Sequence, residues 1–226
     1  MAKDSRLESF QAKQAVIAGR EAGRKRDNKF ALVAAAVAIV LVGSSQLLYF
    51  NVGPGQPAEP LAVANEFTFK INGQAVTAAL SPTFAPVAVD NLVDLVEQGF
   101  YEGVTCHRLV TEGIFVLQCG DPKGDGTGGP GYTWGPIENA PTNDLYTAGA
   151  LAMARQSNAG ESMGSQFFIV YQDSVIPSDA AGGYTVFGRI TSGLEAVEQI
   201  AEQGVQGGAT DGRPAELVTL SELAVK

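Results

Sequence analysis

The chain's only histidine and both of its cysteines fall between positions 106 and 119. Cys106-His107-Arg108 opens one apolar run and Gln118-Cys119 closes the next. All are reactive types, and their number limits what they can do. One histidine cannot build a His-rich or two-histidine zinc site. Two cysteines make neither a zinc ribbon nor a disulfide framework. Neither a metal nor a cofactor is expected. A serine triad would have to use His107. On an extended strand His107 faces away from both Cys106 and Arg108, and the chain has no G-x-S-x-G elbow. His107 therefore reads as a core histidine with its hydrogen bonds met. These exclusions fit a reaction with no covalent step.

Two further patterns look like sites and fail on chemistry. Gly124 to Gly129 matches G-x-G-x-x-G after an apolar strand. A dinucleotide site needs a helix to open there, because its N–H groups hold the pyrophosphate, and Pro130-Gly131 follows instead. Asp121 begins a run resembling a calcium loop, but Lys123 stands at its third position. Tyr132 stands at its twelfth, where a bidentate Glu belongs.

The elements that would carry these residues can be read from periodicity. Phe67 to Ile71 alternates like a strand, Asn72-Gly73 is a hairpin turn signal, and Val76 to Leu80 is the return strand. Val87 to Glu97 places Val89, Leu92, Val93 and Val96 on one helical face. Thr105–Val110, Phe115–Cys119, Ala148–Ala154, Gln166–Tyr171, Tyr184–Ile190 and Leu217–Val225 read as strands. Leu194–Glu202 reads as a short helix and Gly120–Pro136 as a Gly/Pro-rich loop. Many strands with two helices point to a β-barrel plugged by helices.

Charge divides the 226 residues. The first 30 hold eight basic and four acidic residues, a net of +4, so the total of −9 leaves −13 on the rest. That acidic body argues against nucleic acid as a partner. Residues 30–50, FALVAAAVAIVLVGSSQLLYF, carry no charge. As a helix they would span roughly 30 Å, one hydrocarbon core. Small residues at Gly43-Ser44-Ser45 also suit a cleaved signal peptide. The charged region before the segment is already as long as a whole signal peptide, which favours an uncleaved anchor. Arg24-Lys25-Arg26 should stay in the cytoplasm. The expected order is a basic cytoplasmic tail (1–29), a transmembrane anchor (30–50), a Pro/Gly-rich linker (51–64) and a globular domain (65–226) outside the cytoplasm. The tail either touches anionic lipid or only sets topology.

The domain's ordered blocks resemble the cyclophilin family of peptidyl-prolyl isomerases. They are Gly99-Phe-Tyr-Glu-Gly103, Cys106-His-Arg-Leu-Val110, Phe115-Val-Leu-Gln-Cys-Gly-Asp-Pro122, Gly124 to Gly131, Ala152-Met-Ala154, Gly164-Ser-Gln-Phe-Phe-Ile169 and Tyr184-Thr-Val-Phe-Gly188. The resemblance implies a mainly β fold: an eight-stranded closed barrel capped by two helices, here preceded by one transmembrane helix, with a substrate groove on the barrel's outside. It implies that Arg108 is the catalytic arginine. Phe115, Val116 and Phe168 would hold the proline, while Phe167 is core. Gln118 and Gln166 would bond substrate backbone or orient the arginine. The backbone at Ala154 and Arg155 would pair with extended peptide.

The chain also departs from the family. Thr111 to Ile114 replaces a two-residue turn, Val116 a common Met, and Tyr184 a groove His. Asp179 or a neighbour falls where a Trp is frequent. Arg155 replaces an Asn, which predicts a preference for an acidic residue near the proline.

A domain outside the cytoplasm permits a disulfide between Cys106 and Cys119. If residues 111–114 form a four-residue loop, the two cysteines face each other within bridging reach. Gln118 then lies on the opposite face from Arg108. One more residue in the loop sets Arg108 against Gln118 instead. A regular hairpin cannot do both. The register facing Arg108 to Gln118 is preferred, and the disulfide would then require a bulge.

The expected function is acceleration of X–Pro isomerisation during folding of extracytoplasmic proteins. The expected protein is a membrane-bound monomer whose partners are proline-containing unfolded or extended chains. The alternative is a proline-peptide-binding holdase with little turnover.

Overall fold

The computed structural model describes residues 66–226. The tail, anchor and linker expected over residues 1–64 lie outside the described residues. Among those described, no helix is long and apolar enough to cross a membrane.

β1 (Glu66–Ile71) and β2 (Gln74–Leu80) form the expected hairpin. Asn72 and Gly73 both take positive φ, 48° and 81°, as a tight hairpin turn with the strands' own twist requires. α1 (Pro86–Glu97) opens with proline in its first turn, where no N–H is needed. Its cap residue, Ala85, offers no side-chain acceptor. Glu138 supplies one from the distant loop, accepting from the N–H groups of Val87 and Ala88 at 3.1 and 3.0 Å.

β3 (Arg108–Val110), β4 (Val116–Cys119), β5 (Leu145–Tyr146), β6 (Ala150–Met153), β7 (Phe167–Val170), β8 (Ser174–Val175) and β9 (Val186–Ser192) follow. α2 (Leu194–Gln203), β10 (Asp211–Gly212) and β11 (Leu220–Val225) complete the domain. Nine strands join in the order β10-β3-β4-β7-β6-β9-β2-β1-β11, and β5 pairs only with β8.

This curled sheet corrects the expected eight-stranded closed ladder, for it has two ends, β10 and β11. β3 gives its outer edge to β10, so only the stretch before β3 reaches β11. There Cys106 N–H donates to Val218 C=O and Leu220 N–H to Val104 C=O, each at 2.9 Å. Thr105 and Thr219 form an isolated bridge. Short irregular pairing replaces a ladder at that seam.

The short β3 has a local cause. Arg108 pairs with Gln118, yet His107 N–H already donates to Gln118 C=O at 3.0 Å. Two successive residues thus oppose one, which is a bulge. Upstream of it the register is shifted by one, and Cys106 meets Cys119 with Cα atoms 3.9 Å apart and a disulfide between them. The structure holds both arrangements that a regular hairpin would make exclusive.

β6 and β7 are buried on both faces. Leu151, Met153, Phe167 and Ile169 point into the main core, which the helices cover. Ala150, Ala152, Phe168 and Val170 point outward into a second cluster with Val116, Tyr146 and Ile176. That outer cluster is the floor on which the candidate site stands.

Candidate active site

A groove of about 510 Å³ opens over the outer cluster. Strand alternation selects its floor: Val116 and Gln118 from β4 and Phe168 from β7 share one face, and Ala154 follows β6 on the same side. Arg108, Arg155 and Tyr184 form its walls.

The bulge sets the chemistry of one wall. It brings His107 and Arg108 to the same groove, so His107 does not face away as a regular strand would require. His107 is 8% exposed, and its Nδ1 is buried without a hydrogen-bond partner, so it is not the satisfied core histidine expected. Burial lowers its pKa, with Arg213 and Arg108 acting in the same direction and Asp121 opposing them.

The Arg108 guanidinium donates from Nε to Oδ1 and from Nη2 to Oδ2 of Asp211, both at 2.7 Å. Its Nη1 reaches Gln118 Oε1 only at 3.5 Å. The hydrogen bonds to Asp211 raise the Arg108 pKa, and the same bonds hold the Asp211 carboxyl below its ordinary value. Gln118 Nε2 donates to Gln166 Oε1 at 2.9 Å. Gln166 Nε2 in turn donates to the carbonyls of Gly126 and Gly128 at 3.0 and 2.8 Å. The amides thus form a directed chain from the arginine to the glycine-rich loop. Gln166 itself lines an adjoining cavity of about 990 Å³, which shares Gln118, Ala154 and Arg155 with the groove.

The opposite wall is aromatic. Phe168 and Tyr184 meet edge to face, with ring centroids 5.5 Å apart. Tyr184 N–H donates to the Tyr146 hydroxyl at 2.7 Å. Arg155 lies over the Tyr184 ring, and its side chain is 0% exposed. It donates to both carboxylate oxygens of Asp179 at 2.9 Å and to the carbonyl oxygens of Gln156, Gly182 and Gly183. The bond from Arg155 holds the Asp179 carboxyl far below the usual carboxylate range. With its donors committed, Arg155 is not free to select an acidic substrate residue, which removes the basis of that expectation.

Phe115, unlike the other residues expected to bind substrate, lines neither of these two cavities. Its ring packs on Tyr171 at 5.9 Å, against the main core. Val116 and Gln118 own the groove face of β4, so the residue before Val116 turns inward. Ile114 lines the groove instead, a consequence of the longer loop. Ala154 is in the groove, and its N–H is already bonded to Gln166 C=O at 2.9 Å.

Asp211, Arg213, Ile114 and Ile176 also line the groove, and sequence reasoning had not singled them out. Ile114 lies in the longer loop that the preferred register already implied, but a loop residue has no period to mark its side chain as groove-facing. Asp211 carried no signal, since its strand is two residues long and its partner stands 103 positions away.

Comparison with known proteins follows the same outline. The family model "Cyclophilin type peptidyl-prolyl cis-trans isomerase/CLD" matches residues 66–225. A "Probable peptidyl-prolyl cis-trans isomerase B" of Mycobacterium tuberculosis (strain CDC 1551 / Oshkosh) is 43% identical over 180 residues, covering 74% of this chain and 56% of that protein. This chain thus spans little more than half of that relative. The "Peptidyl-prolyl cis-trans isomerase B" of Bacillus subtilis (strain 168) is 40% identical over 134 residues, covering 59% of this chain and 88% of that protein. A crystal structure of a Cryptosporidium parvum cyclophilin-type isomerase in the presence of the dipeptide Ala-Pro superposes with a TM-score of 0.60. It is 26% identical and covers 71% of this chain and 98% of its own.

Proposed function

The chain belongs to the cyclophilin-type peptidyl-prolyl cis-trans isomerase family, and from that premise we propose that its groove accelerates rotation about X–Pro bonds. Amide resonance sets a barrier of about 18–20 kcal/mol, and unaided exchange takes tens to hundreds of seconds. No bond breaks in the reaction. In the twisted state the prolyl nitrogen becomes pyramidal and regains a lone pair. A donor aimed at that nitrogen stabilises the twisted amide over the planar one, whose nitrogen accepts poorly.

Arg108 is the donor in this reading, directed at the prolyl nitrogen or its carbonyl. Val116, Phe168 and Ile114 grip the proline ring while the preceding carbonyl turns. Gln118 bonds substrate backbone, Gln166 with its own donors committed holds Gln118 in place, and the extended peptide adds along Ala154 and Arg155 through the carbonyl side. The observation that carries the proposal is a guanidinium at the edge of an apolar floor in one groove, opposite Gln118 in strand register. The test is exchange of a proline peptide by the full-length chain. Arg108→Ala should slow it by at least about a hundredfold, the usual size of a lost transition-state donor. An unchanged rate refutes the assignment.

We further propose that the domain works as a monomer outside the cytoplasm, anchored by residues 30–50, on secreted chains as they fold. The uncharged segment next to Arg24-Lys25-Arg26 supports this. So does the Cys106–Cys119 bond, since such bonds persist in oxidising compartments. Protease added to intact cells freed of their wall should remove the domain. Protection until lysis counts against this location.

A further inference from the structure

We propose that Asp211 is a positioning residue for the isomerase reaction, holding the Arg108 guanidinium edge-on so that its Nη1 end faces the groove. The proposal rests on Arg108 being the donor.

Asp211 is placed by backbone, not by chance of rotamer. β10 pairs Asp211 with Val110 and Gly212 with Leu109, and Thr111 N–H extends the pairing to Thr210 C=O at 2.8 Å. The carboxylate therefore stands beside the strand that carries Arg108. It takes Nε–H and one Nη2–H in two parallel bonds of 2.7 Å. Such a fork fixes the plane of the guanidinium as well as its distance. The edge left over is the Nη1 side, and its bond to Gln118 is long, 3.5 Å, so that edge can turn to a substrate at little cost.

Stability alone does not account for this pair. Its side chains are 41% and 49% exposed, and exposed pairs contribute little to folding. Its worth lies in orientation. An unheld arginine spreads over many rotamers and presents a donor to the prolyl nitrogen in only some of them. A peptide in the groove would displace water from the pair and strengthen it as the local dielectric falls. The carboxylate also offsets the arginine's charge, which opposes catalysis. We weigh orientation above net charge because the twisted amide needs a directed N–H.

The test uses the full-length chain and a proline peptide. Asp211→Ala should lower kcat by about tenfold, the order expected from returning Arg108 to its free rotamers, with KM unchanged. Asp211→Glu should recover part of the loss. In the Arg108→Ala background, Asp211→Ala should cost nothing more. In the unsubstituted chain the Arg108 Nε–H should exchange slowly with solvent by NMR, and Asp211→Ala should abolish that protection. If Arg108→Ala is inactive while Asp211→Ala is as fast as the parent or faster, this inference falls and the donor assignment stands. Additive losses in the double variant overturn it too, as does rapid Nε–H exchange in the parent. If Arg108→Ala keeps full activity, the donor assignment itself has failed.

Discussion

The guanidinium carbon of Arg155 sits 4.7 Å from the centroid of the Tyr184 ring. The contact is a buried cation against a π face, an arrangement worth up to roughly 2 kcal/mol when desolvated. It holds up the wall that Phe168 completes.

Arg155→Ala should therefore damage the groove and the fold together. It strips Asp179 of its bidentate partner, and breaking a buried pair costs about 3–5 kcal/mol. Asp179 keeps 25% of its side chain exposed, so the loss should fall well short of that for a fully buried pair. KM should rise as Tyr184 loosens. Denaturant unfolding and peptide kinetics check both. A peptide series should show no acidic preference beside the proline in the parent chain.

Asp179 also makes a pH prediction. Its carboxyl is held below its ordinary value, first by the bond from Arg155 and then by the Asn158 N–H. A carboxyl depressed on folding adds stability that is present above the unfolded value, about 3.9, and lost as pH falls toward the folded one. Urea midpoints should fall below about pH 4, and Asp179→Asn should make that fall shallower. Asp121 is depressed as well, by N–H groups of its own loop acting against its burial, so some slope should remain. An Asp179→Asn profile as steep as the parent's would contradict the assignment.

These residues show how far the sequence could be read. The β1–β2 hairpin was legible because Asn72-Gly73 interrupts strict alternation, and α1 because four apolar residues share one face. Val116, Gln118 and Phe168 were legible only through the family resemblance of their sequence blocks, and the β4–β7 register then places them together. A bulge was expected as the device that lets a disulfide form beside the Arg108–Gln118 pairing, and the structure has it at His107. What escaped reading was its side effects, a shortened β3 and a His107 turned into the groove. β10 is too short to have a period, so Asp211 was invisible. The β11 seam closes through one isolated bridge and a few single hydrogen bonds that no pattern encodes.

The disulfide should matter more to the bulge than to the core. The cysteines are separated by 13 positions, and closing a loop of that size stabilises by about 3 kcal/mol in the chain-entropy view. Reduction, or Cys106→Ala with Cys119→Ala, should lower the urea midpoint accordingly. The shift from one register to the next would then be less constrained, and kcat should drop as Arg108 loses its fixed place opposite Gln118. Equal midpoints with and without reductant would mean that the bond does not form in solution.

Ile114 and Phe115 separate grip from packing. The two are neighbours, yet Ile114 lines the groove and packs on the outer cluster, while Phe115 packs on Tyr171 and the main core. Ile114→Ala removes apolar surface that a proline ring would cover, so KM should rise several-fold, about 1 kcal/mol of lost burial. Phe115→Ala leaves a half-lined void under the loop and should cost roughly 2 kcal/mol of stability, with KM nearly unchanged. Kinetics and unfolding on both variants decide the matter. If Phe115→Ala raises KM and Ile114→Ala does not, the proline is held one residue further along the chain, and the loop between β3 and β4 closes differently around its substrate.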